Sequence, residues 1–316
     1  MKNVMKITKK AELAGVALLL AVFILPIISW ASGTKEIFVD DDASGTQDGS
    51  FGHPYKTISK AIEKANGKTK IIVGKGVYIE NIVVSDNIKI SGKDKKKSIL
   101  KAESKSAPAV TLENKTEITD LTIEGGKNGV LIKDTGKGEI TISDCLIRDA
   151  KGDGIKIENG NKSSDRKVNI INNKIYENKK SGIYSERRRL VIIDNEIFDN
   201  ELDGIDMEKS VQAYIENNEI NQNDGVGVKL RLDKSDITIT KNNFYKNDKD
   251  GLEVRYDGVA GWASIKKNNF SKNDRFGIAK IFKDSAENLN FAGLTIENNN
   301  SFSENKNGRI SNPIRN

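Results

Sequence analysis

Apolar positions recur along this chain with a period far longer than a helical turn or a strand. Aligning on glycines that precede an aliphatic gives Gly129, Gly154, Gly182, Gly204, Gly227, Gly251 and Gly277, spaced 22 to 28 residues apart. Upstream of each lies a turn position: Leu121, Cys145, Asn173, Asn195, Asn218, Asn242 and Asn268. Two residues after it comes Ile123, Ile147, Ile175, Ile197, Ile220, Phe244 or Phe270, and three residues before it Ile118, Ile142, Ile170, Ile192, Ile215, Ile239 or Ile265. Spacing between those two apolar columns is fixed, so length variation falls in the connections. Each unit therefore reads as three short strands with alternating aliphatics, such as VNII, KIYE and GIYS around Asn173.

Asn tolerates left-handed backbone angles, so Asn173 and its counterparts are expected to bend the chain between two strands. Stacked unit on unit, each Asn would sit above the next and share amide hydrogen bonds. The Gly before the third strand marks a second tight corner. Three strands and three corners in about 25 residues make one turn of a parallel β-solenoid. Leucine-rich repeats lack support because their leucine pattern and helical segments are missing. Tandem hairpins lack support because two-residue Asn-Gly loops are missing.

The entry segment differs from the repeats. Ile37–Val84 reads as a strand, an Asp/Gly/Ser loop, a Pro-aromatic-x-Thr-Ile step, a short helix, then Gly76, Tyr78 and Glu80 in a G-x-Y-x-E run. Ile58, Ala61, Ile62 and Ala65 form an apolar stripe at helical spacing, with Gly67 as the stop. A helix there would cover the open end of the core, as solenoids require. Together, the entry segment and the repeats resemble the right-handed parallel β-helix superfamily that includes pectate lyases, from about Lys35 to about Asn305. The resemblance implies an all-β, single-stranded right-handed parallel β-helix of about ten coils with a short N-terminal capping helix. Residues 35–90 would be the cap and first coils, 91–305 the repeats, and 306–316 a polar tail.

Residues 1–31 read as an export signal. Lys2, Lys6, Lys9 and Lys10 precede the uncharged Ala14–Trp30, and small residues precede a cleavage point after Ala31. An uncleaved membrane anchor is the alternative. The remainder is expected to work outside the cytoplasm, touching membrane only through that segment. Half of the formal charge of +6 resides there, which leaves little basis for a nucleic-acid partner. Cys145 is the sole cysteine and His53 the sole histidine. That excludes an intrachain disulfide, a zinc or copper centre, and any histidine base in the coil body. Asp40, Asp41, Asp42 and Asp48 lack the spacing of an EF-hand loop and read as solvated carboxylates.

Pectate-lyase-like proteins generally carry substrate on the outward face of the Gly-led strand. Alternation places Ile155, Ile183, Ile205, Val228, Leu252 and Ile278 inward, and Lys156, Tyr184, Asp206, Lys229, Glu253 and Ala279 outward. Two residues further on stand Glu158, Glu186, Glu208, Arg231, Arg255 and Ile281. Stacked about 4.8 Å apart, the three glutamates would repel unless they held a cation, and hard oxygen ligands favour Ca²⁺. A β-eliminating polyuronate lyase needs a cation against the uronate carboxylate and a base for the adjacent C–H. Arg231 and Arg255 are the candidate base or anion clamp, since flanking carboxylates would raise the pKa of Lys229.

Asn159–Lys167 and Tyr256–Trp262 are longer connections after this strand, and Tyr184, Tyr256 and Trp262 could stack on sugar rings. The expected partner is an acidic polysaccharide or cell-envelope glycan, with Ca-assisted lyase activity as the catalytic possibility. The alternative is a non-catalytic structural or adhesion solenoid, whose outward charges form a solvated ladder.

Overall fold

The computed structural model describes residues 33–133, 138–158, 167–282 and 291–315. Residues 1–31, read from sequence as an export signal, and all but the last residue of the Asn159–Lys167 insertion lie outside the described residues. The chain divides into two compact units, Met1–Lys35 and Glu36–Asn316, and the second holds the fold. Among the described residues no helix is long and apolar enough to cross a membrane.

Each sequence repeat folds into three short strands. In one representative turn these are β14 (Lys167–Ile171), β15 (Lys174–Tyr176) and β16 (Ile183–Ser185). Each pairs in parallel with its equivalent one turn later, β17 (Arg189–Ile193), β18 (Glu196–Phe198) and β19 (Ile205–Met207). The result is three parallel sheets of eleven, ten and ten strands. The third sheet, built from the Gly-led strands, is the one that positions the site. Its later members are β22 (Val228–Arg231), β25 (Leu252–Tyr256) and β28 (Phe276–Phe282).

The apolar columns form the interior. Ile118, Ile142, Ile170, Ile192, Ile215, Ile239 and Ile265 are fully buried, as are Ile123, Ile147, Ile175, Ile197, Ile220, Phe244 and Phe270. Phe244 and Phe270 stack at 4.7 Å between ring centroids, so even the aromatic members continue the column. The buried Cys145 belongs to this core, and burial pushes its thiol pKa up to about 12.

Both kinds of corner differ from the sequence expectation in one respect. At the aligned corner the left-handed residues are Asp120, Asp144, Asn172, Asp194, Asn217, Lys241 and Lys267, each one position before the aligned turn residue. Asn173, Asn195, Asn218, Asn242 and Asn268 are instead buried, and their amides form a ladder. Asn195 Nδ2 donates to Asn218 Oδ1 and Asn218 Nδ2 to Asn242 Oδ1, both at 2.9 Å, while each Oδ1 also accepts the backbone N–H of the preceding Asn. A second ladder runs through Asn178, Asn200, Asn223, Asn247, Asn273 and Asn305. The neighbour takes the strained conformation because its side chain faces outward, leaving the Asn side chain free to point into the stack.

The glycine column is also not a left-handed corner. At Gly204 an added Cβ would lie 2.6 Å from the Gly227 carbonyl oxygen and 2.7 Å from Ile220 Cγ2. Glycine is needed there for close approach between turns.

Helix α1 (Ile58–Lys64) covers the N-terminal end, with Ile58 and Ala61 buried and Ile62 and Ala65 packed against the core. Thr57 caps it by accepting from Lys60 N, and Glu80 accepts from Ile58 N and Ser59 N at 2.8 Å each. That explains the glutamate of the G-x-Y-x-E run: its carboxylate sits on the orphan donors of the first helical turn. At the other end, residues expected to form a polar tail make β31 (Gly308–Arg315), which pairs with β28 and extends the third sheet. Its residues contribute ladder hydrogen bonds despite their polarity, which is why composition alone misplaced them.

Candidate glycan-binding face

The register on the third sheet is the predicted one. Lys156, Tyr184, Asp206, Lys229, Glu253 and Ala279 are successive cross-strand partners, and Arg231, Arg255 and Ile281 follow in the second column. What differs is the burial. Asp206 is 8% exposed and Glu253 5%, although both belong to the outward column.

The charges are internally paired. Lys229 Nζ reaches Asp203 Oδ2 at 2.9 Å and Asp206 Oδ2 at 2.6 Å. Burial opposes its charge, but these two carboxylates outweigh that and hold its pKa above the ordinary lysine value. The direction is as expected from sequence; Asp203 is the partner that the pattern missed. Asp206 is affected in the opposite sense to a usual salt-bridged carboxylate. Burial outweighs Lys229 and pushes its pKa up to about 6. A carboxyl that changes protonation near neutral pH, in a cleft, can hold or accept a proton.

The arginines are bound more tightly than the sequence suggested. Arg255 Nε is hydrogen-bonded to Glu253 Oε1. Burial disfavours its charge, yet that bond and the Glu253 charge raise its pKa further. Arg231 lies between two carboxylates: its Nε is 2.5 Å from Glu208 Oε2 without hydrogen-bond alignment, and its NH1 bonds Asp257. Both guanidiniums are thus paired with carboxylates, and neither group is arranged as a proton acceptor.

The glutamate column does not fit a shared calcium ion. Glu208 is engaged by Arg231, and Glu186 Oε1 accepts from Tyr184 OH at 2.8 Å. Among the described residues, the one group of three or more carboxylates with mutually close oxygens is Asp40, Asp41 and Asp42 near the N-terminal end, where Glu158 takes no part. Tyr184 faces outward with Lys156 Nζ 5.6 Å from its ring centroid. Tyr256, expected to stack on sugar, is 5% exposed and packs against Phe291 in the interior. It is the fifth residue of β25, an inward register. Trp262 is 68% exposed but starts β26 (Trp262–Lys266) of the first sheet, pairing with Asp236, and lines neither cleft.

Two clefts open on this face. The larger, about 640 Å³, is lined by Asp203, Asp206, Lys229, Asp250, Glu253 and Arg255, with Arg275 and Arg315 at its rim. The smaller, about 430 Å³, lies at the opposite ends of the strands, among Arg187, Glu208, Lys209, Arg231, Asp233 and Asp257. Both volumes suit a small ligand or a few sugar units. Asp203, Asp250 and Arg275 escaped the sequence reading because they lie before the Gly-led strand, in the connection. The available signal was Asp directly before Gly154, Gly204 and Gly251. Its structural use is to accept a backbone N–H from the next turn, from Ser181, Val226 and Phe276 respectively.

Comparison with curated proteins gives no match. A family model described as a right-handed beta helix region matches residues 161–312. Among solved structures, pectate lyase Pel9A superposes with a TM-score of 0.65 at 16% identity, covering 89% of this chain and 78% of that one. An alginate lyase from Paenibacillus sp. str. FPU-7 gives 0.59 at 15% identity, covering 81% and 96%. The enzymatically active domain of tailspike protein 2 of bacteriophage CBA120 gives 0.58 at 13%, covering 78% and 43%. In fold the chain is a parallel β-helix, similar to these solved structures, and its residues 161–312 match a right-handed beta helix region.

Proposed function

We propose that this protein is an exported polysaccharide-binding β-helix whose glycan lies across the third sheet at the Asp206–Lys229–Glu253 column. The observation that carries the reading is the burial of two carboxylates, Asp206 and Glu253, on either side of a half-buried Lys229 in the outward column of a sheet. Alternation would normally leave such groups in water, and burying them costs stability. Charged groups held in a cleft at that cost are typical of binding and catalytic sites. Solved β-helix structures named for pectate lyase and alginate lyase support a glycan as ligand, and the basic, then apolar N-terminus supports export.

Within this reading Arg255, Arg275 and Lys229 offset the charge of an acidic sugar, and Arg231, held by Glu208 and Asp257, borders them in the second column. Proton transfer falls to Asp206. For a polyuronate, ionised Asp206 would take the proton from the carbon beside the carboxylate as the C–C double bond forms. The glycosidic C–O bond breaks, and water protonates the departing oxygen. The test is incubation of the mature chain with polygalacturonate, alginate and a neutral glucan, reading unsaturated product by ultraviolet absorbance and binding by calorimetry. Product from an acidic glycan that disappears in Asp206→Asn supports catalysis. Binding without product leaves a recognition module, and neither signal with any glycan returns the chain to the structural-rod alternative.

A further inference from the structure

Six buried side-chain polar atoms lack a hydrogen-bond partner among the described residues. Native structures satisfy nearly all such atoms, so each orphan asks for a cause. Three of the six, Asp206 Oδ1, Arg231 Nε and Asp233 Oδ2, belong to the walls of the two clefts. Asp206 lines the larger one. Arg231 and Asp233 line the smaller one, where Asp233 is 8% exposed and uses only Oδ1, toward Val259 N at 3.3 Å. Arg231 and Arg255 are cross-strand partners, the first in the small cleft and the second in the large. The clefts therefore lie on adjacent turns, and this arginine pair contributes one residue to each.

We infer that the smaller cleft is a second sugar subsite, so that one extended acidic polysaccharide crosses the third sheet obliquely and occupies both clefts. This rests on the proposed glycan-binding function. Asp233 Oδ2 accepts a sugar hydroxyl, while Arg187, Lys209 and Lys234 around it receive the acidic group of that unit. Arg231 is held by Glu208 and Asp257, so it serves as a fixed ridge between subsites. A monosaccharide would satisfy one orphan carboxylate; a longer chain would satisfy both.

The experiment is calorimetric titration of the full chain with galacturonate and mannuronate oligomers, from disaccharide to hexasaccharide. Affinity should rise steeply once the oligomer reaches both clefts. Lys209→Gln combined with Lys234→Gln, both exposed and so safe for folding, should lower hexasaccharide affinity roughly tenfold or more, the scale of a lost charge-assisted contact. Disaccharide affinity should stay unchanged. Asp233→Asn should reproduce the length-selective loss, with circular dichroism confirming an intact coil. Equal losses for short and long oligomers, or no gain with length, would overturn the second subsite while leaving the first cleft standing. No binding by wild type at any length would remove the proposed function and this inference together.

Discussion

Asp206 shows how a single residue in this repeat departs from its neighbours. Its carboxyl occupies a register where water is the default surrounding, yet the turns on either side bury it. Because its folded pKa is raised from 3.8 to about 6, the native state holds a proton that the unfolded chain releases earlier. Stability therefore falls as pH rises from about 4 to about 6 and then levels, a penalty on the order of 3 kcal/mol. Asp206→Asn keeps the shape and leaves Lys229 its Asp203 partner. The variant should melt higher than wild type at pH 8, with the gap closing by pH 4; a gap independent of pH would show an ordinary carboxyl. The outward column holding Asp206 was legible from sequence because alternation from a fixed Gly settles it. Its burial was not, since Asp203, which shares Lys229 with it, lies in a connection whose length varies.

At the scale of the turn, two asparagine ladders do most of the specifying. Asn218 receives the N–H and Nδ2 of Asn195 on its Oδ1, and donates to the carbonyls of Ile192 and Glu216 and to Asn242. Asn218→Ala strands several of these groups in a buried corner, at roughly 1–3 kcal/mol for each unsatisfied one. We expect a loss of about 3 kcal/mol or more in denaturant unfolding; a change under 1 kcal/mol would mean that the ladder is incidental. The recurrence of Asn announced the ladder, because an amide can both donate and accept along a stack. The left-handed residue beside it was not legible: Asp, Asn and Lys fill that position with no common chemistry, and only the outward direction unites them.

For the whole molecule, the ends and the ions matter most. Helix α1 was readable from its stripe of Ile58, Ala61, Ile62 and Ala65, because burial on one face leaves a period in the sequence. Strand β31 was not, because its residues are almost all exposed and keep no apolar alternation. Calcium binding by Glu158, Glu186 and Glu208 would need Glu208 to leave Arg231 and Glu186 to leave Tyr184. A chelator is therefore expected to leave the melting temperature of the whole coil unchanged. A drop in wild type that is absent in Glu186→Gln would instead make the glutamates ligands.

One-to-one pairing between turns also bears on how such a protein could change. Each turn contributes one residue to every outward file, so gaining or losing a single repeat would lengthen or trim the face by about 4.8 Å without disturbing the remaining files. On the proposed function, reach toward longer or shorter glycans would then be adjusted by duplication, leaving the residues around Asp206 in place.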